Sequence, residues 1–229
     1  MIIPWPFSPL VLRPALWLDA SDASTLYSGG SLAAADGAIS EWRDKSGNAR
    51  HATQATGVSQ PLRKTAIQNG RDVVRFDGSN DGLFRTTADA GMKPTSRSIF
   101  MVSKDSATGA ERCQFDVGNT FALTQNGTSG KWYAVTAKAF TAPSGAFWLF
   151  SVVETVGSTS IARTNSGADI ALASPTFIAA TGAYAVGSVA SGGLYFNGDI
   201  SEILVFPTAL SGADRQAVES YLNAKWAIY

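Results

Sequence analysis

The sequence is short of nearly everything that simple site chemistry needs. Of its 229 residues, one is cysteine and one is histidine. Cys113 therefore has no partner for an internal disulfide, and a catalytic thiol would need a histidine beside it, whereas His51 lies in a different turn-flanked segment. Set among Arg112, Gln114 and Phe115, the cysteine reads as a small packed side chain. A single histidine also excludes metal centres built from several imidazoles. There is no Gly-x-Ser-x-Gly elbow, no phosphate loop and no His-Glu-x-x-His. Charge of one sign is missing too: 18 Lys and Arg balance 18 Asp and Glu, with no basic run to track a phosphate backbone, so nucleic acid is not an expected partner. The longest apolar stretch, Ala146 to Val153, is broken at Ser151 and followed by Glu154. That is well short of the roughly 20 residues a membrane helix needs, and no membrane insertion is expected. The first residues lack a basic segment, and Pro4, Pro6 and Pro9 would break an apolar signal helix, so no signal peptide is expected. One sequon, Asn126-Gly127-Thr128, is too common by chance to argue otherwise.

What the sequence does have is 22 glycines and short aromatic runs separated by Gly, Asn and Asp. That pattern predicts many short strands: Ala15 to Asp19, Ile39 to Arg43, Val73 to Phe76, Leu83 to Thr86, Ser98 to Ser103, Phe121 to Gln125, Trp132 to Val135 and Phe147 to Glu154. The segments Asp77 to Gly82 and Asn165 to Gly167 supply hairpin-type turns. One helix is predicted. Ser211 to Asp214 has the form of a capping signal, and Ala217, Val218, Tyr221, Leu222 and Trp226 recur at helical spacing, which places a helix at residues 212–226 packed on a sheet. Before the domain, expected at 15–229, comes a proline-rich N-terminal arm at 1–14. Pro4, Pro6, Pro9 and Pro14 predict an extended conformation for it. Its apolar residues, Trp5, Phe7 and Leu10 among them, need a surface: either they lace the arm onto its own sheet or they dock it to a neighbouring subunit.

Several segments together resemble the concanavalin A-like lectin and glucanase superfamily, in particular the laminin-G-like jelly rolls of bacteriophage virion and bacterial surface proteins. They are Leu16 to Asp22, Glu41 to Asn48, His51 to Gln54, Val74 to Gly78, and the closing run Phe196 to Phe206 with Ala209-Leu210-Ser211 and the terminal helix. The resemblance implies an all-β, two-sheet antiparallel jelly-roll sandwich with one C-terminal helix, and no particular ligand, since this fold carries lectins, hydrolases and structural modules.

A hydrolase of this fold would need two carboxylates sharing a strand face. Asp199 and Glu202, three residues apart, fall on opposite faces of a regular strand, and Glu41 with Asp44 fails for the same reason. Asp199 is expected in the turn, and Glu202 in hydrogen bonds within the sandwich. No catalytic residue is therefore expected, and the chain is expected not to be an enzyme. Calcium is the one candidate cofactor, at Asp19 with Asp22 or at Asp77 with Asn80 and Asp81, although these are also ordinary turn residues; no cofactor or metal site is expected. A glycan site needs exposed aromatic faces, for which Trp42, Trp132, Tyr133 and Tyr184 are the candidates, while Trp17, Trp148 and Trp226 are expected in the core. The leading functional expectation is a bacteriophage virion component, such as a capsid decoration, head fibre or tail protein, located on the virion. Its expected partners are other virion proteins or itself, together with cell-surface glycan. The rival readings are a free-standing carbohydrate-binding lectin module and a divergent glycoside hydrolase.

Overall fold

The computed structural model describes residues 7–87, 89–92, 96–118, 121–134, 136–155, 157–172 and 182–229. In chain order its strands are β1 (Leu16–Asp19), β2 (Leu26–Ser28), β3 (Ser31–Leu32), β4 (Glu41–Trp42), β5 (Ala52–Thr53), β6 (Leu62–Gln68), β7 (Arg71–Asp77), β8 (Leu83–Arg85) and β9 (Arg97–Asp105). There follow β10 (Arg112–Val117), β11 (Phe121–Asn126), β12 (Ser129–Ala134), β13 (Thr136–Thr141), β14 (Trp148–Glu154), β15 (Ser160–Thr164), β16 (Ile170–Leu172), β17 (Tyr184–Val186), β18 (Asn197–Phe206) and the helix α1 (Gly212–Trp226). Among the described residues they build two antiparallel sheets. The first has eight strands in the order β16-β15-β14-β9-β18-β7-β6, with β1 continuing the edge of β18 where β7 ends. The second has ten, in the order β13-β12-β11-β10-β17-β8-β5-β4-β2-β3. This is the sandwich expected from the sequence.

The strands alternate, and that alternation makes two apolar layers. Between the sheets lie Trp42, Phe76, Phe115, Trp132, Trp148, Phe150, Tyr184 and Phe196, all buried. On the other face of the eight-stranded sheet, Trp17, Val73, Phe100, Leu149, Leu204 and Phe206 receive Val218, Leu222 and Trp226 of α1. The helix begins as its sequence directs: Ser211 Oγ accepts the Asp214 N–H at 3.1 Å and donates its own proton to Asp214 Oδ2 at 2.7 Å. It ends at Ala227, whose left-handed φ of 51° turns the chain while its N–H caps the Asn223 carbonyl.

A buried carboxylate fastens this helix. Glu202 of β18 is fully enclosed; its Oε1 accepts Trp17 Nε1 at 2.7 Å and Tyr221 OH at 3.1 Å, and its Oε2 accepts Lys225 Nζ and Trp226 Nε1, both at 2.7 Å. Lys225 also reaches Asp19 Oδ1 at 2.7 Å, and Lys45 bonds Asp19 Oδ2 at 2.8 Å. Burial pushes the Glu202 carboxyl up, against the pull of Lys225.

Two local expectations are corrected. The arm is not extended throughout: Pro9–Leu12 is a turn of 3-10 helix. Proline is tolerated there because Pro9 opens the turn, where its missing N–H has no partner to serve, and Arg13 ends it at a left-handed φ of 53°. Phe7 packs on Tyr221 with ring centroids 6.1 Å apart, Leu12 joins the layer under the helix, and Leu10 is exposed. Trp5 lies outside the described residues. The second correction concerns strand parity. Asp199 is in β18, not in a turn, and a bulge between Ile200 and Glu202 shifts the register against β9. Asp199 and Glu202 therefore both point to the helix-bearing face, where Asp199 is bound bidentately by Arg75 at 2.6 and 2.8 Å.

Candidate functional site

α1 covers one outer face of the sandwich, and the outer face of the ten-stranded sheet carries the cleft of interest. Phe121, Leu123 and Gln125 of β11 point inward, so Ala122 and Thr124 point outward. On β12 the inward residue is Trp132, which leaves Lys131 and Tyr133 outside. On β10, Phe115 and Val117 face the core and Asp116 faces out. The register then lines up a lateral row: Asp116 opposes Ala122, and Ala122 opposes Tyr133. Asp116 and Tyr133 are thus two strand spacings apart, roughly 10 Å, with only an alanine methyl between them. That gap is the floor of a cleft of about 390 Å³.

The far wall is the segment 188–194, which is tied to β10 at two points. Asp116 Oδ2 accepts the Ala190 N–H at 2.7 Å, and the Leu194 carbonyl accepts the Cys113 N–H at 2.7 Å. Val189, Ser191 and Leu194 line the cleft from this side. The near wall is Tyr133, which is held by Glu111. Glu111 Oε1 accepts Tyr133 OH and Thr124 Oγ1, each at 2.6 Å, while Oε2 meets Lys131 Nζ at 2.6 Å. Partial burial alone would raise the Glu111 carboxyl, but the bonds from Lys131, Thr124 and Tyr133 outweigh it and keep the group below its ordinary value. Burial and the neighbouring Glu111 carboxylate push the Tyr133 phenol up, so it stays a proton donor across the physiological range. The arrangement offers the half-buried ring of Tyr133, the hydroxyl of exposed Ser191 and an apolar floor.

The four aromatic candidates separate cleanly. Trp42, Trp132 and Tyr184 have 0%, 1% and 1% of their surface exposed, so their ring faces are unavailable to a ligand, a correction of the sequence expectation. Trp132 instead donates Nε1 to Glu154 Oε1 at 2.8 Å between the sheets, beside the Arg97–Glu154 ion pair at 2.8 Å. Tyr184 donates its hydroxyl to the Arg50 carbonyl. Tyr133 alone of the four lines the cleft.

The motifs that carry the family resemblance have structural work to do. Asp44 accepts the Trp17, Ser46 and Arg50 N–H groups and the Ser46 hydroxyl, which staples the 44–50 turn to β1. His51 Nδ1 accepts the Asp44 N–H at 3.1 Å. At Asp19 and Asp22, the ammonium of Lys45 lies 2.8 and 2.9 Å from the two carboxylates, in the place a cation would take. Asp77 Oδ1 caps the Ser79 and Asn80 N–H groups, and Asp81 Oδ2 caps that of Asp77. Cys113 is free and fully buried, and burial pushes its thiol well up.

No protein-family model and no curated protein matches the chain in sequence. Solved structures do match in shape. A GH54 α-L-arabinofuranosidase soaked with a cyclic sulfate inhibitor superposes with a TM-score of 0.69 at 14% identity, over 96% of this chain and 66% of the other. An arabinofuranosidase complexed with arabinofuranosyl-α-1,2-xylobiose gives 0.61 at 15%, over 93% and 59%. The receptor binding domain of botulinum neurotoxin type G gives 0.61 at 12%, over 91% and 51%. The chain spans less than two thirds of each of these proteins. At these identities the likeness establishes the β-sandwich architecture. It also overturns the expectation that the chain is not an enzyme: glycoside hydrolases share this architecture, and the bulge that brings Asp199 and Glu202 to one face of β18 removes the parity argument that set catalysis aside. The virion expectation gains no support from these likenesses.

Proposed function

We propose that the chain binds carbohydrate, and that the cleft between Tyr133 and the 188–194 segment is where it does so. The observation that carries this reading is the locked ring of Tyr133. Glu111 holds its hydroxyl at 2.6 Å at the edge of a cleft about 390 Å³ in volume, a size suited to one or two sugar units. A fixed aromatic ring gives a sugar's C–H face a surface at little entropic cost, and exposed Ser191 on the opposite wall gives its hydroxyls a polar neighbour. The architecture supports the reading, since among proteins that share it is an arabinofuranosidase complexed with an arabinofuranosyl xylobiose. Placement on a phage particle rests on the sequence resemblance alone, and copurification with virions is its test.

The binding reading is tested by calorimetric titration of wild type and Tyr133→Ala with a panel of neutral, amino and acidic oligosaccharides. Saturable binding that Tyr133→Ala weakens by about tenfold or more, with unfolding unchanged, is the expected result. Binding that survives Tyr133→Ala intact, or no binding of any member, refutes it. Following sugar release in the same samples reads out hydrolysis directly.

A further inference from the structure

Within that cleft one side chain is in an unfavourable place. Leu194 adopts a left-handed backbone with φ of 48°, a region that branched apolar residues avoid, and yet its side chain is 46% exposed. It follows Gly192 and Gly193, with φ of 82° and 108°, so a third glycine would serve the turn with less strain. Its carbonyl accepts the Cys113 N–H, a contact available to any residue. Among the described residues the leucine side chain belongs to neither apolar layer, and it puts apolar surface into the cleft beside Val189. Backbone strain of this kind concentrates where a side chain must be aimed at a ligand.

Charge narrows the ligand further. Among the described residues lining the cleft there is no lysine, arginine or histidine, and Lys131 beside it is already paired with Glu111 at 2.6 Å. An acidic sugar would bring its carboxylate to a place where no described lining residue carries a positive charge to receive it. A fully hydroxylated sugar would press hydroxyl groups against Ala122, Val189 and Leu194, where they find no partner.

We propose that the cleft selects a neutral sugar residue bearing a methyl group, as an N-acetylamino or 6-deoxy substituent, and that Leu194 with Val189 forms the contact that determines this specificity. The proposal rests on the carbohydrate reading above and specifies its ligand class. The methyl lies against Leu194 and Val189, the C–H face of the ring against Tyr133, and the ring hydroxyls reach Ser191 and the open mouth of the cleft.

The test uses matched sugars against the full chain: N-acetylglucosamine with glucose, L-fucose with L-galactose, and sialyllactose with lactose. Each is titrated against wild type, Leu194→Gly and Leu194→Asn, and unfolding is measured for all three proteins. The expected result is a preference of about tenfold for the methyl-bearing member of the first two pairs, and no preference for the sialylated sugar. Leu194→Gly and Leu194→Asn, both tolerant of the left-handed backbone, should lose that preference, with a melting temperature that is unchanged or raised. Equal affinity within the pairs, tighter binding of sialyllactose, or a preference that survives in both variants overturns the proposal while the carbohydrate reading stands. Failure of wild type to bind any of the six sugars overturns both.

Discussion

The substitution Glu202→Gln removes a charge from the fastening of α1 without changing its shape. Glutamine offers one acceptor oxygen and one amide NH2 where the carboxylate offers two acceptors. If the amide oxygen faces Lys225 and Trp226, the NH2 faces the Trp17 indole N–H; if it turns the other way, the NH2 faces an ammonium and the Trp226 indole. The Tyr221 hydroxyl can rotate away, but an indole N–H cannot, so at least one buried donor is left without an acceptor. That costs about 1–3 kcal/mol. Lys225 loses a charged partner at 2.7 Å but keeps Asp19 at 2.7 Å, which limits the further loss to about 1 kcal/mol. The expected total is about 2–4 kcal/mol, read as a lower urea midpoint with unchanged slope and followed by the fluorescence of the six tryptophans together. In a Trp17→Phe background the NH2 can turn into the vacated position, so Glu202→Gln should cost about 1 kcal/mol less there. A loss under about 0.5 kcal/mol in the wild-type background would show that the buried carboxylate does not hold the helix.

Two further outcomes follow from the geometry. Gly187 has φ of 78°, and a Cβ there would lie 2.2 Å from the ring of buried Phe76, so Gly187→Ala should cost about 2–5 kcal/mol in urea unfolding; a loss below about 1 kcal/mol contradicts the packing described. Burial pushes Asp81 up to about 6, so the folded chain holds this proton more tightly than the unfolded one. The stability the proton supplies is complete below about pH 4 and is lost as pH rises through about 6. Asp81→Asn keeps an oxygen for the Asp77 N–H and should therefore be more stable than wild type by about 1–3 kcal/mol at pH 8 and no more stable at pH 4. A difference that is constant across that range refutes the assignment.

The architecture was legible in the sequence because burial writes an apolar pattern into the chain. The strands around Met101 and Phe150, buried on both faces, write it as near-continuous apolar runs, and the helix writes it as the stripe Val218, Leu222 and Trp226. Strands with half-exposed or polar faces, such as β6 with its sequence Leu62–Gln68, write little of it and were missed. The site was less legible, for a reason that Trp132 and Tyr133 make plain. Adjacent residues of one strand must face opposite ways, and the sequence does not say which aromatic goes inside. The larger one did, since it pairs its indole with Glu154 between the sheets. The bulge in β18 defeated the parity argument for Asp199 and Glu202, because nothing in Asp199-Ile200-Ser201-Glu202 marks the extra residue. The far wall, Ser188 to Leu194, reads as an ordinary glycine-containing loop; only its backbone angles and its ties to Asp116 and Cys113 show that it closes a cleft. A leucine directly after two glycines was the one signal available.

The most direct measurement of carbohydrate binding at this cleft is an amide NMR titration of the full chain with an N-acetylated oligosaccharide. Binding in the cleft requires saturable shifts at Ala122, Thr124, Tyr133, Ser191 and Leu194, with the amides of α1 unmoved. Spectra that do not change at millimolar sugar, or shifts confined to α1 and the segment around Phe7, would contradict it.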